Sequence, residues 1–238
     1  MLSDVGRTLL GLSLAIVAAS VCAGDSRQNA APYGIWTRGE TVVLFAHVYP
    51  CPPDELPPPG AAQLFVSEDG GKSWGKRGPQ LDGSVFEYIY EAKGRVWIVG
   101  EHTAEGPASE PFILVPDESG LGWSVHVIYE DAAELESIVV QNNGDFGAWI
   151  RHLKLHDNGW TGPLYLHKSS DGGRTWRLVG RTNNAPANQA AGFKKIETQT
   201  ATWRVADQGN GVSVVERRTD EHSAWKTVYR FPPNVCGP

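Results

Sequence analysis

Short apolar runs alternate with glycine-bearing polar segments along most of the chain, and no stretch sustains the spacing of a capped amphipathic helix. The pattern predicts strands joined by tight turns. Only Asp131 to Glu136, rich in Ala and Glu, is read as a helical turn. Two of the apolar runs, Leu64-Phe65-Val66 and Leu164-Tyr165-Leu166, lead into the same phrase: Ser67-Glu68-Asp69-Gly70-Gly71-Lys72-Ser73-Trp74 and Ser169-Ser170-Asp171-Gly172-Gly173-Arg174-Thr175-Trp176. In each, the Gly pair supplies positive φ, the Asp accepts backbone N–H groups inside its own turn, and the Trp packs between neighbouring sheets.

This phrase resembles the Asp box, the bacterial neuraminidase repeat S-x-D-x-G-x-[ST]-W. Two weaker copies fall in register. Thr219-Asp220-Glu221-His222-Ser223-Ala224-Trp225 keeps the Asp and Trp but loses both Gly, and Asp117-Glu118-Ser119-Gly120-Leu121-Gly122-Trp123 carries one inserted residue. The four Asp positions, 69, 117, 171 and 220, step by 48, 54 and 49 residues, the length that a four-stranded propeller blade requires. In the first three repeats a glycine hairpin (Arg38-Gly39-Glu40, Lys93-Gly94-Arg95, Asn143-Gly144-Asp145) joins the first two strands. In the fourth, Ala201 to Ala206 and Val212 to Arg217 are the expected middle strands. The resemblance therefore implies an all-β fold, a small β-propeller of about four four-stranded blades with Asp-box turns. An open or two-sheet arrangement of the same hairpins is the alternative.

The N-terminal segment reads as an export signal. Arg7 precedes an apolar run from Leu9 to Val21, too short to span a bilayer comfortably, and Val21-Cys22-Ala23 fits a small-residue cleavage site. Residues 1–23 are thus a signal peptide, and 24–238 one Asp-box domain in the periplasm or outside the cell. A lipoprotein anchored at Cys22 is the alternative. Cys51 and Cys236 then meet an oxidising compartment and are expected to pair; so long a loop gives an upper figure of about 5 kcal/mol. The formal net charge is −6 without a basic run, which argues against a nucleic-acid partner and against anionic membranes.

The search for a site starts from topology. The box turns share an end with the one–two hairpins; the opposite end carries the two–three loops, Tyr49 to Gly60, Thr103 to Glu110, Leu153 to Gly162 and Asp207 to Gly211. Loops on a rigid frame carry function, so Asp69, Trp74, Asp117, Trp123, Asp171, Trp176, Asp220 and Trp225 are assigned to structure. His47, His102 and His152 each lie eight residues after a hairpin glycine, which suggests a pseudo-symmetric histidine cluster suited to a metal, an anion or a sugar. A structural histidine repeated in each blade is the competing reading. His156 and Trp160 join the binding candidates from the third loop, and Trp36 is a further aromatic outside the repeat cores.

Sialidase-like enzymes carry an Arg-Ile-Pro segment, an Arg triad, a Tyr–Glu pair and an Asp acid/base. No Arg-Ile-Pro occurs here, and Arg38, Arg95, Arg151 and Arg204 follow no matching pattern, so no catalytic residue carries over. No cofactor motif is found, and none is expected. The reading is a non-catalytic module that binds an envelope or extracellular protein or glycan. The alternative is a glycan-active hydrolase of reduced size, for which Glu101, Asp157 and Asp207 are the nearest carboxylates; Glu134 and Glu136 cannot be paired across a cleft from sequence. A third reading is a scaffold that docks into an envelope complex through an apolar patch.

Overall fold

The computed structural model describes residues 28–50, 60–92, 94–103, 109–141, 144–157, 159–187, 202–207 and 213–231. The predicted signal peptide and both Cys51 and Cys236 lie outside them. The described residues form seventeen strands and no helix. A first antiparallel sheet contains β1 (Gln28–Arg38), β2 (Thr41–Pro50), β3 (Ala61–Ser67) and β4 (Gly75–Asp82) in chain order. A second group follows as β5 (Ser84–Ala92), β6 (Arg95–Thr103), β7 (Ser109–Pro116) and β8 (Trp123–Val127). The third group contains β9 (Ala133–Val140) and β10 (Phe146–His152), then a small hairpin of β11 (Lys154–His156) and β12 (Gly159–Thr161), then β13 (Leu164–Ser169) and β14 (Arg177–Thr182). One pair, Ser109 with Ala133, joins the second and third groups into an eight-stranded sheet. The last sheet holds β15 (Thr202–Asp207), β16 (Ser213–Arg218) and β17 (Lys226–Arg230). Its first two strands lie within a residue or two of the middle strands expected from sequence.

Why these segments are strands follows from their burial. Val42, Val43, Leu44, Phe45 and Ala46 are fully enclosed, a continuous apolar run that only a sheet covered on both faces accommodates. Val43 and Phe45 enter a core with Phe86, Ile98 and Phe112 of the second group. Val42 and Leu44 face the other way, into a core with Trp203 and Val215 of the last sheet and Phe231 just after it. A third core, around Val99, Ile113, Ile138 and Phe146, joins the second group to the third. The sheets therefore pack in the order last, first, second, third. They form an open row: among the described residues no core cluster links the third group to the last sheet.

Asp131 to Glu136 is not a helical turn. Ala133 begins β9 and pairs with His152 of β10, because Ala133, Leu135 and Ser137 alternate inward at period two. Trp36 is not a surface aromatic either. It is 6% exposed within the first–second core and donates its indole N–H to Glu91 at 3.1 Å.

The turns before Trp74 and Trp176 have matching bonds. Asp69 accepts the Lys72 and Ser73 amides at 3.0 and 2.9 Å and the Ser73 hydroxyl at 2.6 Å. Asp171 accepts the Arg174 and Thr175 amides at 3.0 and 2.9 Å and the Thr175 hydroxyl at 2.6 Å. Each Trp returns its indole N–H to the second turn glycine, Gly71 or Gly173. Those glycines adopt φ of 88° and 93°, where a side chain is strained. The Asp117 and Asp220 turns keep the carboxylate-to-amide bonds. Trp123, however, donates to Val96 of β6 rather than to its own turn.

Candidate functional site

Glu101 is brought inside by the end of β6 that leads into the two–three loop. The strand's enclosed residues Val96 to Gly100 run directly into it, and the Leu135 amide donates to its carboxylate at 3.2 Å. Burial pushes the Glu101 carboxyl up, and the charge of Glu134 adds to the effect. Glu87 is also raised, by burial first and then by Glu101. Three carboxyl groups from β5, β6 and β9 thus act on one another where the second and third groups join.

Bulges shape this place. Register shifts between Phe86 and Tyr88, so Glu87 is the extra residue opposite Gly100 and Val99. On β9, Glu136 is likewise the extra residue opposite Trp149 and Ile150. Tyr33 holds the matching position on β1. The first strand of each of the three groups therefore carries one bulge at an equivalent height. A bulge breaks the alternation of faces and re-aims a side chain. Arg151 closes the group: it pairs with Glu136, stands 3.9 Å from Glu134, and donates to the Gly162 carbonyl at 2.9 Å. A carboxyl raised by burial beside two carboxylates that reach an arginine is an arrangement able to give and take protons.

The histidines predicted as a cluster occupy the expected strands, β2, β6 and β10, near the same end. His102 Nδ1 lies 3.1 Å from the Ser84 hydroxyl of β5. His152 Nε2 lies 2.9 Å from His167 Nε2 of β13 and its ring stacks on Tyr129 at 3.9 Å. His47 is half-buried, which lowers its pKa. Alternation puts His47 on the face of Val43 and Phe45, towards the second group, whereas His102 continues the face of Val96 and Ile98, towards the first. Equal counting from the glycine gives unlike facing because Gly39 is the first of two turn residues and Gly94 is the last before its strand. Among the described residues no three His, Cys, Asp or Glu side chains are spaced to hold a metal ion.

His156 and Asp157 are exposed at the tip of the β11–β12 hairpin. Trp160 pairs across it with Leu155, which is 66% exposed. Asp207 ends β15 in the last sheet, apart from Glu101. The sequence offers Glu101, Glu134 and Glu136 without joining them, and nothing in it marks Glu87. The eight Asp and Trp residues assigned to structure lie in or beside the four turns at the opposite end of the strands.

No protein-family profile matches the chain, and no curated protein matches it. Among solved structures it is similar to a protein of unknown function from Dyadobacter fermentans, with 16% identity and a TM-score of 0.44 over 85% of this chain and 70% of that one. It is similar to the GH93 α-L-arabinofuranosidase of Fusarium graminearum, solved with arabinobiose, at 13% identity and a TM-score of 0.39 over 84% of this chain and 64% of that one. A family 117 glycoside hydrolase from Zobellia galactanivorans gives 12% identity and a TM-score of 0.38, over 88% and 71%. No residue role passes from these proteins to this chain.

Proposed function

We propose that residues 24–238 form an open Asp-box propeller, exported to the periplasm or beyond, that hydrolyses a glycan at the junction of its second and third blades. The carrying observation is Glu101, a carboxyl raised by burial and flanked by Glu87 and Glu134. Glycoside cleavage needs one protonated carboxyl to load the leaving oxygen and one carboxylate to act on the sugar or on water. Glu101 takes the first role. Glu134, beside Arg151, takes the second, and Arg151 orients it. The charge of Glu134 adds to the burial that raises Glu101. The test is release of reducing sugar from a panel of plant and bacterial polysaccharides by the wild-type chain and by Glu101→Gln. Release by wild type, lost in the variant while binding persists, supports the reading; equal release by both, or none from any glycan, sinks it.

The β11–β12 hairpin favours a second reading, recognition without catalysis. Leu155, exposed, and Trp160, half-buried, form an apolar–aromatic pair at the loop end, a surface that a sugar ring or a protein side chain can cover. Glycan or protein capture lost in Leu155→Ser with Trp160→Ala, without any hydrolysis by the parent chain, would favour this reading over the first.

A further inference from the structure

His152 and His167 meet head-on. Their Nε2 atoms are 2.9 Å apart and the ring centroids 5.1 Å, so the two nitrogens lie between the rings. A contact of this length is a hydrogen bond with one proton in it. One ring donates Nε2–H; the other accepts at a bare Nε2 and keeps its own proton on Nδ1. The partners differ in tautomer by necessity.

The surroundings hold the pair in place. Tyr129 stacks on one face of His152 at 3.9 Å and 14°, and Tyr165 leans on it at 4.4 Å. Tyr129 also meets the His167 ring edge-on at 5.6 Å, and His167 is 5% exposed. From the β8–β9 connection, Asp131 bonds to Tyr129 and its charge acts on His152. β14 sets Leu178 opposite His167 and Arg181 opposite Tyr165. Burial first, then the charge of His152, brings His167 down to about 4. Burial lowers His152 too.

The pair is tied to the carboxylates through the chain itself. His152 N–H donates to Pro163 at 3.1 Å and Leu153 N–H to Ala132 at 2.9 Å. These bonds fix the end of β10, and the preceding residue is Arg151, which reaches Glu134, Glu136 and Gly162. We propose that His152 and His167 act as one proton-sharing clamp that positions Arg151, and through it the carboxylates of the candidate site. A doubly protonated pair would set two Nε2–H donors against each other, and the clamp would open. The clamp's geometry stands alone; its bearing on catalysis rests on the hydrolase reading above.

The experiment is a nitrogen NMR titration of the full chain labelled at histidine, joined to amide exchange at His152 and Leu153. At neutral pH the two rings should show opposite tautomers, and on acidification they should titrate as a coupled unit below the ordinary imidazole range. His167→Ala should speed exchange at both amides by about fivefold, the worth of one hydrogen bond. His167→Gln, whose amide can donate to His152 Nε2, should restore protection and abolish its dependence on pH. Matching tautomers or independent titration in the wild-type chain overturns the clamp, whether or not the variants fold. Unchanged exchange in His167→Ala overturns the positioning role. Neither readout uses a substrate, so a chain that cleaves no glycan would fail the hydrolase reading and leave the clamp standing.

Discussion

Trp97 of β6 donates its indole N–H to the Gly172 carbonyl, in the turn of the adjoining group, at 2.9 Å. The next residue, Gly173, lies against Ile113 and Val115, where an added Cβ would come within 3.1 Å of Ile113. The turn is thus a socket for its neighbour as well as a local bend. The last sheet engages the first in the same way, through Arg217 to the Gly70 carbonyl at 3.2 Å. Trp97→Phe keeps one aromatic ring but loses the bond and the volume of the indole's second ring. The expected cost is about 1 kcal/mol for the bond plus a cavity contribution, read as a lower denaturant midpoint at unchanged slope.

Glu101 gives a stability signature on the basic side. Its folded-state pKa is raised, mainly by burial, so the folded chain holds a proton that the unfolded chain has released. That contribution is fully present below the ordinary carboxylate pKa and is lost as pH rises through the raised value. Across this window the wild-type urea midpoint should therefore fall relative to that of Glu101→Gln. An equal fall in both would remove Glu101 as the cause.

Gly100 is the counterpart of the Glu87 bulge. A Cβ there would collide with the Val85 carbonyl and crowd the Phe112 ring at 2.6 Å. Gly100→Ala should cost about 1–3 kcal/mol, the range for overpacking, and move Glu87. Gly180→Ala, where nothing lies within 4 Å, is the control and should stay within about 0.5 kcal/mol. Thermal melts of both variants decide the matter.

Acid should weaken the fold in two stages. As pH falls from the ordinary imidazole range towards about 4, the unfolded chain takes up a proton that buried His167 refuses, so stability drops. Below the usual Asp value a second loss begins. Burial alone pushes Asp171 up, but bonds from Thr175, Ser169 and Arg174 outweigh it and bring the carboxyl down to about 2; that stability vanishes as the carboxylate is protonated. Asp69 is held lower still, chiefly by the Ser73 hydroxyl and amide. His167→Gln should shrink the first stage, part of which His152 and His47 retain because burial lowers them too, and leave the second, as followed by midpoint against pH.

The parts legible in the sequence were those written in local chemistry. Asp69 and Asp171 satisfy their own turns within a few residues, so a short phrase suffices to find them. Glu87 was invisible because a bulge is one extra residue in an unbroken run, and its meaning comes from Gly100 on another strand. The histidines stand eight residues after hairpin glycines, but Gly39 and Gly94 sit at different places in their turns, and a one-residue difference reverses a strand's face. Trp36 reads from sequence as outside the repeat cores, because Glu91, which receives its N–H, lies more than fifty residues later.

The junction of the last sheet with the first bears on when the protein can become a protein. Phe231 shares one core with Ile35 and Leu44 and meets Phe65 edge-on at 6.0 Å. During synthesis, the opening sheet must wait with one apolar face bare until the final strands arrive. Such long-range closure is slow, and a chain stalled before Phe231 would expose a surface that chaperones bind and proteases reach.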